Sequence, residues 1–153
     1  MYSGSKKLTD RMPGTAQTVG QMVLSPTRTY APIVKKIFDT IGRQHIHGMV
    51  HCSGGAQTKI LHFIDQLHVI KDNLLPIPPL FQLIQEESHT SGKEMYEVFN
   101  MGHRLEFYLP ESLARELIAV SESFNVPAQI IGRVEAAPQK KVSIQSELGS
   151  FTY

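Results

Sequence analysis

The chain has 153 residues, with fifteen Lys and Arg against fourteen Asp and Glu for a formal charge of +1, so one core is expected and no second domain is required. A hydrophobic fraction of 41% and a charged fraction of 19% describe a soluble globular chain, and no apolar run approaches the ~20 residues of a membrane span. Lys and Arg form no cluster that would make a nucleic-acid footprint, so neither membrane nor nucleic acid is expected as a partner.

Met1 to Gln21 mixes Gly, Ser, Thr and Lys without a sustained apolar period, and residues 1–20 read as a loop or flexible arm ahead of a domain over 21–153. Gln21 to Leu24 is a short strand candidate closed by Ser25-Pro26. Pro32 suits the first turn of a helix over Ala31 to Ile41, whose Ile33, Val34, Ile37, Phe38 and Ile41 make a buried stripe ended by Gly42. His45 to His51 reads as a strand. Ser53-Gly54-Gly55 then turns into a second amphipathic helix carrying Ile60, Leu61, Phe63 and Ile64.

Leu67 to Ile70 is the next strand, and a Pro-rich link over residues 75–79 leads to a helix over Leu80 to Glu87. Glu94 to Phe99 reads as a helical turn, and Arg104 to Leu109 as a strand with Leu105 and Phe107 on one face. The firmest helical pattern follows Pro110, with Leu113, Leu117, Val120 and Phe124 on one stripe. Gln129 to Val134 and Lys141 to Gln145 are the last strand candidates. Mixed helices and strands without strict alternation predict an α+β domain, a mixed β-sheet packed by helices.

Three segments invite chemistry. His51-Cys52-Ser53-Gly54-Gly55-Ala56 stands where a strand gives way to a helix, so glycine N–H groups there suit an anion as well as they suit an ordinary turn. His51, as a histidine, is a residue type suited to proton transfer, and serves equally as a hydrogen-bonded strand end. His45, His47 and His51 on one strand face would also permit a zinc site, but Cys52 points away and no carboxylate is fixed beside them, so no metal is assigned. Neither a Walker A loop nor a dinucleotide fingerprint is present. Lys93 to Gly102 makes a short helix capped near Asn100, and Pro26-Thr27-Arg28-Thr29-Tyr30 sets hydroxyls and a guanidinium before a helix, suiting phosphate or capping. The single Cys52 cannot make an internal disulfide, and no secretory leader precedes the first turn, which fits a cytoplasmic protein.

Taken together, Pro26 to Tyr30, His47 to Gly55, Glu94 to Gly102 and the closing Ile131-Gly132-Arg133-Val134 resemble aminoimidazole ribonucleotide synthetases, the phosphoribosylformylglycinamidine cyclo-ligases. The resemblance runs from about Leu24 to the end and corresponds to that family's carboxy-terminal domain, so the chain is expected to be one half of the enzyme. Selenophosphate synthetases and small kinases of the same superfamily are the alternatives, as is a non-catalytic binding module. The family's turn carries a third glycine and then a Glu-Asn pair, where this chain has Ala56-Gln57-Thr58-Lys59. If that third glycine uses positive φ, the loop is expected to differ here, because alanine tolerates it poorly.

By resemblance, the full enzyme is a homodimer that uses ATP and magnesium to close formylglycinamidine ribonucleotide to aminoimidazole ribonucleotide. Magnesium and most ATP contacts then belong to the absent amino-terminal domain. The resemblance also assigns Ser53, Gly54 and Gly55 to anion or substrate binding and places His51 and Asn100 at the reacting centre. Thr27 and Arg28 are next in line for the substrate phosphate or the interdomain cleft.

Overall fold

The computed structural model describes residues 4–153; residues 1–3 of the expected arm lie outside the described residues. Five helices and six strands follow: α1 (Val19–Val23), α2 (Ala31–Ile41), β1 (Gly48–His51), β2 (Leu67–Lys71), α3 (Pro79–Ser88), α4 (Gly92–Val98), β3 (Leu105–Tyr108), α5 (Glu111–Glu122), β4 (Gly132–Ala136), β5 (Lys141–Ser146) and β6 (Gly149–Thr152). Short 3₁₀ helices occupy Arg43–His45 and Ala56–His62. β1 and β3 form an antiparallel ribbon; the other strands form a mixed sheet in the order β4-β2-β5-β6, with β2 and β5 parallel and the outer pairs antiparallel. The expected α+β class with a mixed, helix-packed sheet is what the chain adopts.

The ribbon separates two cores. On one side Ile33, Ile37 and Ile41 of α2 meet Leu117 and Val120 of α5, with Phe107 of β3 packed against them. On the other, Val50 of β1 joins Val69, Val142 and Ile144 of the sheet, Ile60 of the 3₁₀ helix, and Met95 and Tyr96 of α4. Each such side chain contributes roughly 1.5–3 kcal/mol on burial, so both faces of the ribbon are anchored.

Five elements differ from their sequence reading. The strand expected over Gln21 to Leu24 is instead the end of α1, started by a capping box in which Gln21 N–H donates to Thr18 Oγ1 and Thr18 N–H donates to Gln21 Oε1. Met12 and Val19 bury against Leu83 of α3, and Ser5 Oγ donates to Glu87 Oε1, so the segment ahead of α2 is docked along that helix. The helix expected after the glycine turn is 3₁₀, because Thr58 donates from both N–H and Oγ1 to Gly55 O, only three residues back. β4 lies two to three residues later than expected, and β6, unforeseen, folds back from a Ser146–Gly149 turn. On α5 the stripe ends early: Phe124 lies beyond the helix and is 38% exposed, while Ser121 turns inward and donates to Val126 O.

Candidate functional site

The turn that follows β1 is built from its own hydrogen bonds. Ser53 N–H donates to His51 O and Ala56 N–H to Ser53 O, at 2.8 Å each. Gly55 takes φ 82° and Ala56 takes φ 40°. Alanine itself therefore adopts the left-handed region, and the loop does not avoid it as the glycine-to-alanine change had suggested. The Ala56 methyl is buried, which helps to offset that cost.

Across the mouth of the turn lies Lys59, half-buried, its Nζ donating to Ser53 Oγ at 2.8 Å and His51 O at 3.1 Å. A fixed ammonium beside exposed Ser53 and Gly54 is a donor set for an anion. Lys59 was missed in the sequence because spacing alone does not bring a 3₁₀ side chain back onto the preceding turn; the departure from the family's Glu-Asn pair was the available signal.

Asn100 follows α4. Its Oδ1 accepts from Gly102 N–H at 3.0 Å, and its backbone O accepts from Gln57 Nε2 at 2.7 Å. The Asn100 side chain thus serves partly as a turn cap and keeps its Nδ2 donor group. Gln57 stands two residues past Gly55, so the glycine turn and the Asn100 segment, separate in sequence, are joined by one side chain.

Beneath them sits a buried polar cluster that sequence reading did not find. Lys71 Nζ donates to Gln57 O and Gln57 Oε1, both at 2.9 Å, and to Glu106 Oε1 at 2.6 Å; Tyr108 OH donates to Glu106 Oε2 at 2.8 Å. Burial first, then Glu106, pushes the Tyr108 hydroxyl up; the same two causes lift the Cys52 thiol to about 12, so Cys52 stays protonated and is no nucleophile at neutral pH. His103 is buried with Nε2 accepting from Leu75 N–H, and desolvation lowers its pKa to about 4. Leu105 and Phe107 were read as sharing one face of the strand, which leaves Glu106 on the other, but nothing in the sequence named Lys71 as its partner.

Of the remaining assigned residues, His51 adjoins the turn, whereas Thr27 and Arg28 do not. His51 is exposed at the end of β1. Thr27 and Arg28 are exposed on the link into α2, which packs on α5, whereas the glycine turn leads into a 3₁₀ helix packed on α4. His45 closes a 3₁₀ turn and His47 precedes β1, so the three histidines do not share a strand face. Among the described residues, no three His, Cys, Asp or Glu form a group that could hold a metal ion, and both oxygens of Glu106 are engaged. Magnesium does not fit these donors. A cavity of about 1290 Å³ has none of residues 51–59 in its wall; Ile37, Phe63, Lys71, Glu106, Leu117 and Val134 are among the residues that line it. No helix among the described residues is long and apolar enough to cross a membrane.

Residues 3–145 match the family described as AIR synthase related protein, C-terminal domain. The chain is similar to the phosphoribosylformylglycinamidine cyclo-ligase of Methanococcus vannielii, at 33% identity over 78% of this chain and 33% of that protein. It is also similar to those of Carboxydothermus hydrogenoformans, at 30% over 91% of this chain and 40% of that protein, and Thermoplasma volcanium, at 33% over 84% and 36%. The chain thus spans between a third and two fifths of the length of these relatives.

Proposed function

Because the chain belongs to the AIR synthase related family, as its carboxy-terminal domain, we propose that it is the carboxy-terminal half of a cyclo-ligase making aminoimidazole ribonucleotide for purine synthesis. The observation that carries this reading is the Gln57 Nε2 to Asn100 O bond of 2.7 Å, which gathers the glycine turn and the Asn100 segment into one site. An amide oxygen leaves poorly, whereas its phosphorylation by ATP lets the amidine nitrogen displace phosphate and close the ring. Such a reaction depends on positioning and charge stabilisation more than on a nucleophile.

In this reading Ser53, Gly54 and Gly55, with Lys59 above them, receive an anionic group of formylglycinamidine ribonucleotide or of the transferred phosphate. His51 exchanges a proton at the reacting centre, Asn100 offers its Nδ2 hydrogens there, and Thr27 and Arg28 meet the substrate phosphate or a neighbouring domain. ATP is held mainly by an amino-terminal domain corresponding to the part of the relatives' length that this chain does not span, in a homodimeric cytoplasmic enzyme. Magnesium belongs with that domain, since the donors described above do not fit it.

The test joins the chain to an amino-terminal ATP-binding domain of its relatives. His51→Ala should lower turnover about 100-fold with an unchanged circular-dichroism spectrum and melting temperature. Wild-type kinetics would remove His51 from the site.

A further inference from the structure

Lys71 is almost fully buried at the end of β2, and all three of its ammonium protons have partners, two on Gln57 and one on Glu106. Glu106 is held in turn by Tyr108, and Gln57 passes the connection to Asn100 O. A lysine buried this deeply is rarely kept for stability alone, because an ion pair so placed is often no better than an apolar pair of equal volume. What an apolar pair could not do is grip the backbone of Gln57 and orient its amide at once.

We infer that Lys71 is a positioning residue: its ammonium sets Gln57 so that the glycine turn and the Asn100 loop keep a fixed register, although Lys71 is not itself in the turn. Three elements that meet nowhere else in sequence, β2, β3 and the 3₁₀ helix, converge on that one nitrogen. Ala56 at φ 40° and Met101 at φ 49°, both non-glycine residues in the left-handed region, show that both loops hold conformations needing external support. The inference rests on the proposed ligand-facing role of the turn and of Asn100, and extends it to a buried residue that belongs to neither segment.

The experiment compares Lys71→Met, Gln57→Leu and the apolar pair Lys71→Met/Glu106→Leu, the last of which keeps the test open if the single lysine variant does not fold. In the 153-residue chain, amide hydrogen exchange should rise about tenfold or more at Ala56, Thr58 and Gly102 together in each folded variant, since their N–H groups donate to Ser53 O, Gly55 O and Asn100 Oδ1. The amides of Val69 and Val142 in the sheet should stay protected. In the joined enzyme, kcat should fall roughly 10–100-fold with KM changed little. Wild-type exchange at the two loops in a folded pair variant, a uniform rise that includes Val69 and Val142, or failure of every variant to fold would each overturn the proposal. If the wild-type joined enzyme shows no turnover, the proposed activity fails, while the exchange measurement still decides whether Lys71 sets the two loops.

Discussion

At Ala56 two costs oppose each other: a left-handed alanine is strained by roughly 1–2 kcal/mol, while its buried methyl contributes about 0.8 kcal/mol. Ala56→Gly exchanges one for the other and adds flexibility to the unfolded chain, so its urea midpoint should correspond to a change of less than about 1 kcal/mol. Ala114→Gly, on helical backbone in α5 and also buried, should cost more, about 1–2 kcal/mol. His103 sets a pH dependence. Its pKa falls from 6.5 to about 4 in the fold, chiefly by burial, with Lys71 lowering it further and Glu106 opposing. The unfolded chain therefore binds the extra proton first, and stability present above pH 6.5 is lost as pH falls toward 4. Urea midpoints measured across that interval should fall less steeply in His103→Gln, whose amide still accepts from Leu75 N–H. The sequence pointed to the glycine turn and the Asn100 segment as candidates through turn chemistry and family resemblance, and the Gln57–Asn100 hydrogen bond joins those two segments. Lys59 and Lys71 were not legible in the sequence, since each acts across a contact that only folding creates.

Among elements, α2 and α5 were read correctly because an apolar stripe at helical spacing persists over several turns. The exception, Phe124, shows the limit of a stripe: periodicity has no term for where the helix ends. Ile37→Ala should cost about 3 kcal/mol, because Ile37 is 1% exposed, and Phe124→Ala less than about 1 kcal/mol; denaturant unfolding of both separates the observed face from the expected one. Short apolar runs misled at α1, where Met22-Val23-Leu24 fits strand or helix and only the Thr18–Gln21 cap decides. Gly132 illustrates a constraint visible only in the sheet. A Cβ there would overlap Ile70 O on β2, so Gly132→Ala should loosen the β2–β4 pairing and lower the melting temperature.

For the whole molecule, the two cores on either side of the β1–β3 ribbon account for a stable domain, yet Met49, Phe63, Leu67, Ile130 and Val134 stay exposed around the large groove. Such a face suits cover by further protein, in keeping with relatives of which this chain spans only 33–40%. In the proposed reading, the donors gathered near Ser53 and Asn100 form half of a reaction site, and magnesium is held by the other half. The decisive measurement is ATP-dependent conversion of formylglycinamidine ribonucleotide to aminoimidazole ribonucleotide, with the chain alone and joined to an amino-terminal ATP-binding domain of its relatives. Product and ADP from the joined protein, with none from the 153-residue chain, is the predicted result; turnover by the chain alone, or none by the properly folded joined protein, would contradict it.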